Sequence, residues 1–422
     1  MKSLFKKIVV AILTYESILV LKKHKPFIIG VTGNLGKTST KDAIYAVMKD
    51  KFNVRKSQKS YNSFFGVPLT ILNEKSGWNN PLKWAWIVIR GLFVPFERNY
   101  PEYLVLEVGA DRVNDIKDVC KWLKSDITVV TQFGEVPVHI EFFKDKDAII
   151  QEKGYLVEAL NEDGLFIYNG DDLDSQKLLE KTNARKQSFS IKETGDARAF
   201  DIRGYGNIDG VEADVLIGDD KCHLVLPEVI GKSPVYCALP ALLVAKELNI
   251  PLDVACASLR DADKPKGRMR LLKGMNDSII IDDTYNASPK ATEHGLKTLS
   301  TLDGHRKIAV LGDMMELGKY TKEEHHKIGM VAGKICHKLI CVGIRSRETS
   351  EGALDAGMNE DNILECDNSI LAGKELVEMI QPGDVIYVKG SQSMRMERAV
   401  KMILAENHLS QDVLVRQEKE WL

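Results

Sequence analysis

In the first half of the chain, short apolar runs alternate with longer segments of mixed polarity. Apolar runs of strand length lie at 26–31, 103–108, 127–131 and 165–168, each bounded by polar or glycine-containing turns. Runs of this kind, with helix-length segments between them, are typical of strands buried on both faces of a parallel sheet. The pattern therefore predicts an α/β domain.

A change of pattern follows near the middle of the chain. Apolar and charged residues alternate from 197 to 226, with a turn at 218–220, which predicts a small antiparallel insert. A helix over 235–248 then closes the first domain. The charged, proline-containing stretch 261–267 is the best candidate for a linker.

The strand and helix rhythm restarts after this linker. Strands are predicted at 278–281, 307–311, 338–342 and 384–388, with segments between them long enough for crossover helices. This predicts a second, Rossmann-like α/β domain, but the glycine fingerprint G-x-G-x-x-G of a dinucleotide site is absent from it. The predicted division is a helix over 1–27, a central domain over 28–262 and a C-terminal domain over 263–422.

The first residues combine a basic start with an apolar stretch. Residues 1–7 are basic and 8–21 are largely apolar, but 14–17 interrupt the apolar part. No small-residue cleavage site follows, and a bilayer-spanning helix needs about 20 apolar residues. Lysines on both sides fit an amphipathic helix at a membrane surface, whereas the apolar pattern fits a helix packed on the protein equally well.

A second unusual segment, 78–103, is rich in large aromatic residues. These are Trp78, Trp84, Trp86, Phe93 and Phe96. Such a segment favours an interface with lipid headgroups or a partner protein, and a helix folded onto the core is an equal alternative. We expect 8–21 and 78–103 to form one surface.

Overall charge and cysteine usage exclude several classes of protein. Lysine and arginine number 58 against 60 aspartates and glutamates, so no global positive field favours nucleic acid as a partner. The seven cysteines are scattered and contain no C-x-x-C pair, which argues against a zinc site or a redox dithiol. The composition fits a cytoplasmic protein with reduced thiols.

A glycine-containing loop joins the first predicted strand to a helix. The loop consists of Thr32, Gly33, Asn34, Leu35, Gly36, Lys37, Thr38 and Ser39. The glycines let backbone N–H groups surround phosphates, Lys37 can neutralise phosphate oxygens, and Thr38 can hold a magnesium ion. The loop predicts nucleotide-phosphate binding, because a turn that only caps a helix explains neither Lys37 nor its placement.

Three more residues are candidates with weaker local signals. Glu107 ends a predicted strand, from which a carboxylate can reach the magnesium of a phosphate-binding loop directly or through water. Taken alone, such a residue is more often a solvated edge residue. His139 and Lys153 form no local motif.

Six features then follow one another in the order found in Mur ligases. They are TGNLGKTS, LEVGA, the pair His139 and Lys153, DDTYNASP, LGDMMELG and VKGSQSMRME. From about Ile28 onward the chain therefore resembles the Mur ligase family. The motifs YNASP and GDMMELG are most similar to those of members that add D-alanyl-D-alanine to a UDP-N-acetylmuramoyl-tripeptide.

This resemblance implies an ATP-dependent amide-bond ligase that uses Mg²⁺ and works through an acyl phosphate. The implied substrates are a muramoyl-tripeptide precursor of peptidoglycan and D-alanyl-D-alanine. Two alternatives stay open, namely a related ligase that joins a different carboxylate and amine, and a P-loop ATPase or regulatory subunit. The implied location is the cytoplasm, with association at the inner face of the membrane left open.

The resemblance also assigns roles to individual residues. Lys37 and Thr38 would hold the ATP phosphates and a first magnesium, with Glu107 completing that metal site. His139 would bind a second magnesium, and Lys153 matches a lysine that is carbamylated in this family, which converts a cation into an oxygen ligand. The C-terminal domain would add Arg268, Asp283 and Asn286 as ATP contacts.

Two departures from the family pattern qualify these expectations. Only residues 1–27 precede the predicted central domain, so a UDP-sugar-binding domain is expected to be missing and the substrate to be held differently. Segments 8–21 and 78–103 would then replace it or dock near a membrane. Ser233, Pro234 and Cys237 also stand where the family commonly has residues that seat adenine.

Overall fold

The computed structural model describes residues 2–58, 61–192, 194–205, 209–405, 410–418 and 421, with only the backbone for 2–5 and 205. The strands within these ranges are β1 (Phe27–Thr32), β2 (Val54–Lys56), β3 (Tyr103–Glu107), β4 (Ser125–Val130), β5 (Leu160–Asn169), β6 (Arg185–Ser190), β7 (Ala197–Tyr205), β8 (Gly210–Ile217), β9 (Asp220–Pro227), β10 (Arg270–Lys273), β11 (Ile279–Asp283), β12 (Lys307–Gly312), β13 (Lys338–Val342), β14 (Ile363–Cys366) and β15 (Val385–Lys389). The α-helices are α1 (Lys2–His24), α2 (Lys37–Met48), α3 (Gly66–Ile71), α4 (Pro81–Gly91), α5 (Asp115–Cys120), α6 (Lys146–Glu158), α7 (Leu173–Gln176), α8 (Lys232–Glu247), α9 (Leu252–Arg260), α10 (Pro289–Ser300), α11 (Thr321–Ile335), α12 (Arg347–Asp355), α13 (Ser369–Met379), α14 (Glu397–Ile403) and α15 (Ser410–Val413).

The first nine strands form one sheet in the order β2-β3-β1-β4-β5-β6-β7-β8-β9. Neighbouring strands from β2 to β7 are parallel, and β7, β8 and β9 are antiparallel. Apolar residues of α2 and α8 cover one face of the parallel part, and α9 packs on β9. Apolar residues of α3, α5 and α6 belong to the core on the other face, where α1 packs on α3 and α4. The predicted antiparallel insert is confirmed, and it continues the parallel sheet at one edge.

The remaining strands form a second sheet in the order β10-β11-β15-β12-β13-β14. All neighbours are parallel except β10 and β11. Helices α10, α11 and α12 pack on one face, and α13 and α14 on the other. The α/β fold class with a second Rossmann-like unit is therefore confirmed. The division at 262/263 stays a prediction and lies between α9 and β10.

Helix α1 runs through the polar interruption that the sequence shows within its apolar stretch. Glu16 and Ser17 are buried, and the Ser17 hydroxyl donates a hydrogen bond of 2.7 Å to the Leu13 carbonyl. Val9, Leu13 and Val20 belong to the core beneath the helix. Helix α1 thus packs on the body of the protein through one face.

Helix α4 carries the first half of the aromatic segment. It packs against α1 so closely that a Cβ atom at Gly91 would lie 2.1 Å from the Glu16 Oε2. Ile87 is buried, whereas most of the large apolar side chains of the segment are exposed. Among the described residues, no helix is both long and apolar enough to cross a membrane.

Candidate functional site

The predicted phosphate loop lies between β1 and α2. Gly33 and Gly36 have φ values of 134° and 82°, a region that side chains disfavour, and a Cβ atom at Gly33 would lie 2.1 Å from the Thr131 hydroxyl. The loop is tied to the strand-end backbone, because the N–H of Asn34 donates to the Gln132 carbonyl at 2.8 Å. Glycine at these two positions is therefore a geometric requirement of the loop.

Lys37 lies at the start of α2 and curls back over the loop. Its ammonium donates to the carbonyls of Gly33 and Asn34 at 2.9 and 3.3 Å. Burial lowers the pKa of this ammonium, and nearby Glu107 opposes that shift. An oxyanion above the loop would offer this cation a stronger partner than the two carbonyls.

Glu107 ends β3, which pairs with β1 beside the loop. One carboxylate oxygen accepts a hydrogen bond of 3.0 Å from the Asn62 amide. The other is buried and has no hydrogen-bond partner among the described residues. A buried carboxylate oxygen without a partner is costly unless a cation meets it, so this residue fits a magnesium ligand.

Lys153 and His139 face the same space. Lys153, on α6, is only 3% exposed, and burial, with the neighbouring Lys37 charge, lowers its pKa to about 7. His139 has a left-handed φ of 71°, and its Nδ1 lies 2.6 Å from the Glu316 carboxylate. Its Nε2 lies 3.6 Å from the Asp111 carboxylate.

The second sheet contributes a cation and a carboxylate to this space. The Arg268 guanidinium donates to the Thr38 hydroxyl at 3.0 Å and lies 4.1 Å from the centre of the Tyr285 ring. Asp283, at the end of β11, accepts a hydrogen bond of 2.5 Å from the buried Lys389 ammonium. Lys389 also donates to the Asn286 carbonyl at 2.9 Å, which orders the loop after β11.

One cleft of about 1160 Å³ between the two sheets collects almost all of the predicted site residues. Its lining includes Asn34, Leu35, Gly36, Lys37, Thr38, Ser39, Glu107, His139, Lys153, Arg268, Asp283 and Asn286. Thr32 and Gly33 do not line it and support the loop from below. Ser233, Pro234 and Cys237 line it at the start of α8, and the Cys237 thiol donates to the Gly36 carbonyl at 3.7 Å.

Five further residues support this cleft and were not assigned a role from the sequence. They are Asn62, Asp111, Glu316, Lys389 and Arg416. Glu316 and Lys389 lie within motifs that the resemblance singled out, so a signal was present. The other three have no local signal, because their partners are distant in the sequence.

Two protein-family models match this chain, one over the part that forms each sheet. The Mur ligase middle domain matches residues 31–245, and the Mur ligase, glutamate ligase domain matches residues 267–392. The first match alone covers about half of the chain. The two models together include the phosphate loop, Glu107, His139, Lys153 and all three predicted contacts from the second sheet.

Individual relatives agree with this assignment. A UDP-N-acetylmuramoyl-tripeptide–D-alanyl-D-alanine ligase of Bacillus subtilis (strain 168) is 27% identical over 384 residues, which cover 89% of this chain and 76% of the relative. The solved MurF ligase of Thermotoga maritima in complex with ADP is 26% identical, with a TM-score of 0.76 and coverage of 93% and 83%. MurF of Acinetobacter baumannii, 22% identical with a TM-score of 0.77 and coverage of 93% and 79%, shares the fold.

Proposed function

Because the chain belongs to the Mur ligase family, we propose that it joins a carboxylate to an amine at the expense of ATP, adding D-alanyl-D-alanine to a UDP-N-acetylmuramoyl-tripeptide. The observation that carries this proposal is the meeting of Glu107, His139 and Lys153 beside the phosphate loop, opposite Arg268 from the second sheet. A relative with the same name as the proposed activity aligns over most of the chain.

The reaction transfers the γ-phosphoryl group of ATP to the substrate carboxylate and releases ADP. The amine of the second substrate then attacks the acyl carbon and an amide forms. The bond between the acyl carbon and the bridging oxygen breaks, phosphate leaves with that oxygen and the bonding electrons, and the amine releases a proton. Magnesium, when bound, neutralises the phosphate charge that builds up in both steps. The side chains proposed to hold it are Thr38, Glu107, His139 and Lys153.

The remaining residues position the reactants in this proposal. Lys37 and the loop amides bind the phosphates, and Arg268 approaches them as the two sheets close on the nucleotide. Asp283 and Asn286 contact ATP from the loop that Lys389 orders. Closure of the two sheets on the nucleotide would exclude water, which would otherwise hydrolyse the acyl phosphate.

Lys153 is proposed to carry a carbamate. A pKa of about 7 leaves a large share of its amine neutral near neutral pH, and a neutral amine is the form that adds carbon dioxide. The product is an anionic oxygen ligand next to Lys37. Carbamylation would thus replace a positive charge with a negative one at a buried position that disfavours the cation.

The reaction uses small-molecule substrates, and we place it in the cytoplasm, where ATP is available. Segments 8–21 and 78–103 are proposed to support a peripheral association, which does not bear on the chemistry. A ligase for a different carboxylate and amine is the second candidate. Ser233, Pro234 and Cys237 stand where the family commonly seats adenine, so they do not distinguish the two candidates, and turnover decides between them.

Turnover distinguishes these proposals. The protein is incubated with ATP, magnesium, a UDP-muramoyl tripeptide and D-alanyl-D-alanine, and phosphate and the pentapeptide product are measured, the latter by mass. We expect phosphate and pentapeptide in equal amounts. Phosphate release that needs neither substrate would instead indicate an ATPase, and turnover only with another carboxylate and amine would support the second candidate.

A further inference from the structure

The outer face of α4 and the turn after it exposes a continuous set of large apolar side chains. Leu82, Trp86, Ile89 and Phe93 recur at helical spacing, and Phe96 follows in the short helix Val94–Phe96. Leu82, Trp86, Phe93 and Phe96 are 81, 62, 65 and 79% exposed. Soluble proteins rarely leave several large apolar side chains together in water without a function. These five residues are called the α4 surface below.

The segment that carries the α4 surface is packed against the rest of the protein. Ile87 and Val94 point inward and are buried. The Trp84 ring lies 5.6 Å from the Phe65 ring, and the His24 ring of α1 stacks on Tyr100 at 4.4 Å. The buried side chains and ring contacts of this segment therefore hold α4 in place, while its outward side chains remain exposed.

Charge around the α4 surface differs from that of the whole protein. Residues 1–25 and 74–98 together contain ten lysines and arginines but only three acidic residues, Glu16, Glu74 and Glu97, of which Glu74 pairs with Arg90 at 3.1 Å, although the whole chain has a net charge of −2. Glu16 is buried, whereas Lys22, Lys23, Lys83 and Arg98 are exposed. An apolar strip bordered by cations is complementary to an anionic bilayer surface.

We propose that the α4 surface binds the surface of a bilayer that contains anionic lipid, with its aromatic side chains at headgroup level and the surrounding lysines and arginines against the phosphates. Tryptophan and phenylalanine suit this depth because their rings are apolar and bulky. A second copy of the chain is a poorer occupant, because a symmetric contact would bring the same cations together.

Binding at the α4 surface would also orient the cleft. Phe65, on which Trp84 packs, is three residues after Asn62, and Asn62 holds Glu107 and lines the cleft. The bilayer would therefore lie close to the metal side of the cleft. This inference goes beyond the ligase reaction and does not depend on it.

Co-sedimentation of the full chain with lipid vesicles tests the proposal without any turnover. Vesicles of phosphatidylcholine alone are compared with vesicles that also contain phosphatidylglycerol, at low and at high salt. We expect binding to the anionic vesicles that weakens with salt, since headgroup attraction is screened. Removing one exposed cation, as in Lys83→Gln, should weaken binding about fivefold.

A double variant, Trp86→Ser with Phe93→Ser, should lose at least about tenfold in vesicle binding while its circular dichroism and unfolding midpoint stay unchanged. The matched control is Leu173→Ser with Ile344→Ser, which removes two side chains that are 76 and 78% exposed elsewhere. The control should bind vesicles as the wild type does.

Four results would overturn the proposal. One is the absence of vesicle binding by the wild type, and another is equal binding by the α4 variant and the control. The third is a wild-type dimer in light scattering that the α4 variant dissociates, because a second copy would then be the occupant. Capture of a defined protein that competes with vesicles would likewise assign the α4 surface to that protein.

Discussion

At the scale of single residues, two buried ionisable groups stand out because each lacks the environment that its charge prefers. Lys153 lies beside Lys37, and burial together with that charge brings its pKa to about 7. Glu16 lies under Gly91 between two helices, and neither of its oxygens has a hydrogen-bond partner among the described residues. The first group lines the cleft, and the second lies in the packing of α1 on α4.

Lys153→Ala is expected to reduce ligation on the order of 100-fold to 1000-fold, since the proposed magnesium ligand is lost. The measurement is kcat for pentapeptide formation in buffer freed of carbon dioxide and in buffer with bicarbonate. Bicarbonate should raise the activity of the wild type and leave the variant unchanged. Lys146→Ala, at the start of the same helix and paired with Asp174 outside the cleft, is the control. Full activity of Lys153→Ala would remove this residue from the metal site.

Glu16→Gln is expected to stabilise the protein at alkaline pH. Burial raises the pKa of Glu16 from 4.5 to about 7, so the folded state holds a proton that the unfolded state releases. The resulting stability is present below about pH 4.5 and is lost as the pH rises through about 7. Urea unfolding at about pH 8 should show a gain on the order of 2 kcal/mol for Glu16→Gln, and little difference at about pH 4.5. A constant difference across this range would show that the charge of Glu16 is not the cause.

At the scale of elements, the sequence predicts those parts of the fold that are apolar and continuous. Strands β1, β3, β4, β12, β13 and β15 have such runs, and each was predicted within about two residues of its ends. Strands β2, β10 and β14 have three or four residues, and β6 reads RKQSFS, so none of them has a pattern distinct from a loop. These strands form because neighbouring strands supply hydrogen-bond partners, which is information from the tertiary structure.

The residues of the candidate site also differ in how far the local sequence predicts them. The phosphate loop could be predicted from spacing and residue chemistry, because all of its parts lie within eight consecutive positions. Glu107, His139 and Lys153 needed a family resemblance, and Asn62 and Arg416 were missed, since each works through a partner at least 19 residues away. Arg416 donates to the carbonyl oxygens of Thr284 and Tyr285 and pairs with Glu397 at 3.0 Å.

Arg416→Met is expected to loosen the loop after β11. The variant removes the Arg416 donor from the carbonyls of Thr284 and Tyr285 and from the Glu397 carboxylate, so it should cost about 3 kcal/mol in urea unfolding. It should also raise the KM for ATP several-fold with a smaller change in kcat, because Asn286 lies in this loop. Arg398→Met, an exposed change on α14, is the matched control. An unchanged KM in a destabilised variant would restrict Arg416 to a structural role.

At the scale of the whole molecule, polar contacts link loops of the two units at the cleft. Arg268 reaches Thr38 at 3.0 Å, and Glu316 reaches His139 at 2.6 Å. A Cβ atom at Gly318, near Glu316, would lie 3.0 Å from the side chain of Glu141, so the chains also approach closely there. The Arg268–Thr38 and Glu316–His139 contacts each join a residue of the second unit to a residue proposed to hold magnesium.

Arg268→Ala is expected to reduce kcat roughly 100-fold, because the variant removes the cation that the second sheet supplies to the phosphates. Stability should change little, since the side chain is only partly buried and lies at the edge of the cleft. Arg270→Ala, two residues away and paired with Glu228 at 3.1 Å, is the control and should retain activity. The measurement is kcat with saturating ATP, together with the unfolding midpoint. A loss that appears only in KM would instead place Arg268 in ground-state nucleotide binding.

The contact between Trp78 and Trp421 has a consequence for observing this molecule in solution. The two indole rings lie edge to face with centres 6.2 Å apart, and Trp421 also contacts Arg395 and Arg416 of the second unit. Indoles this close couple their electronic transitions, so the pair should give a near-ultraviolet circular dichroism signal of its own. This signal would report the separation of the two rings, one near α4 and the other beside Arg416, without any added label.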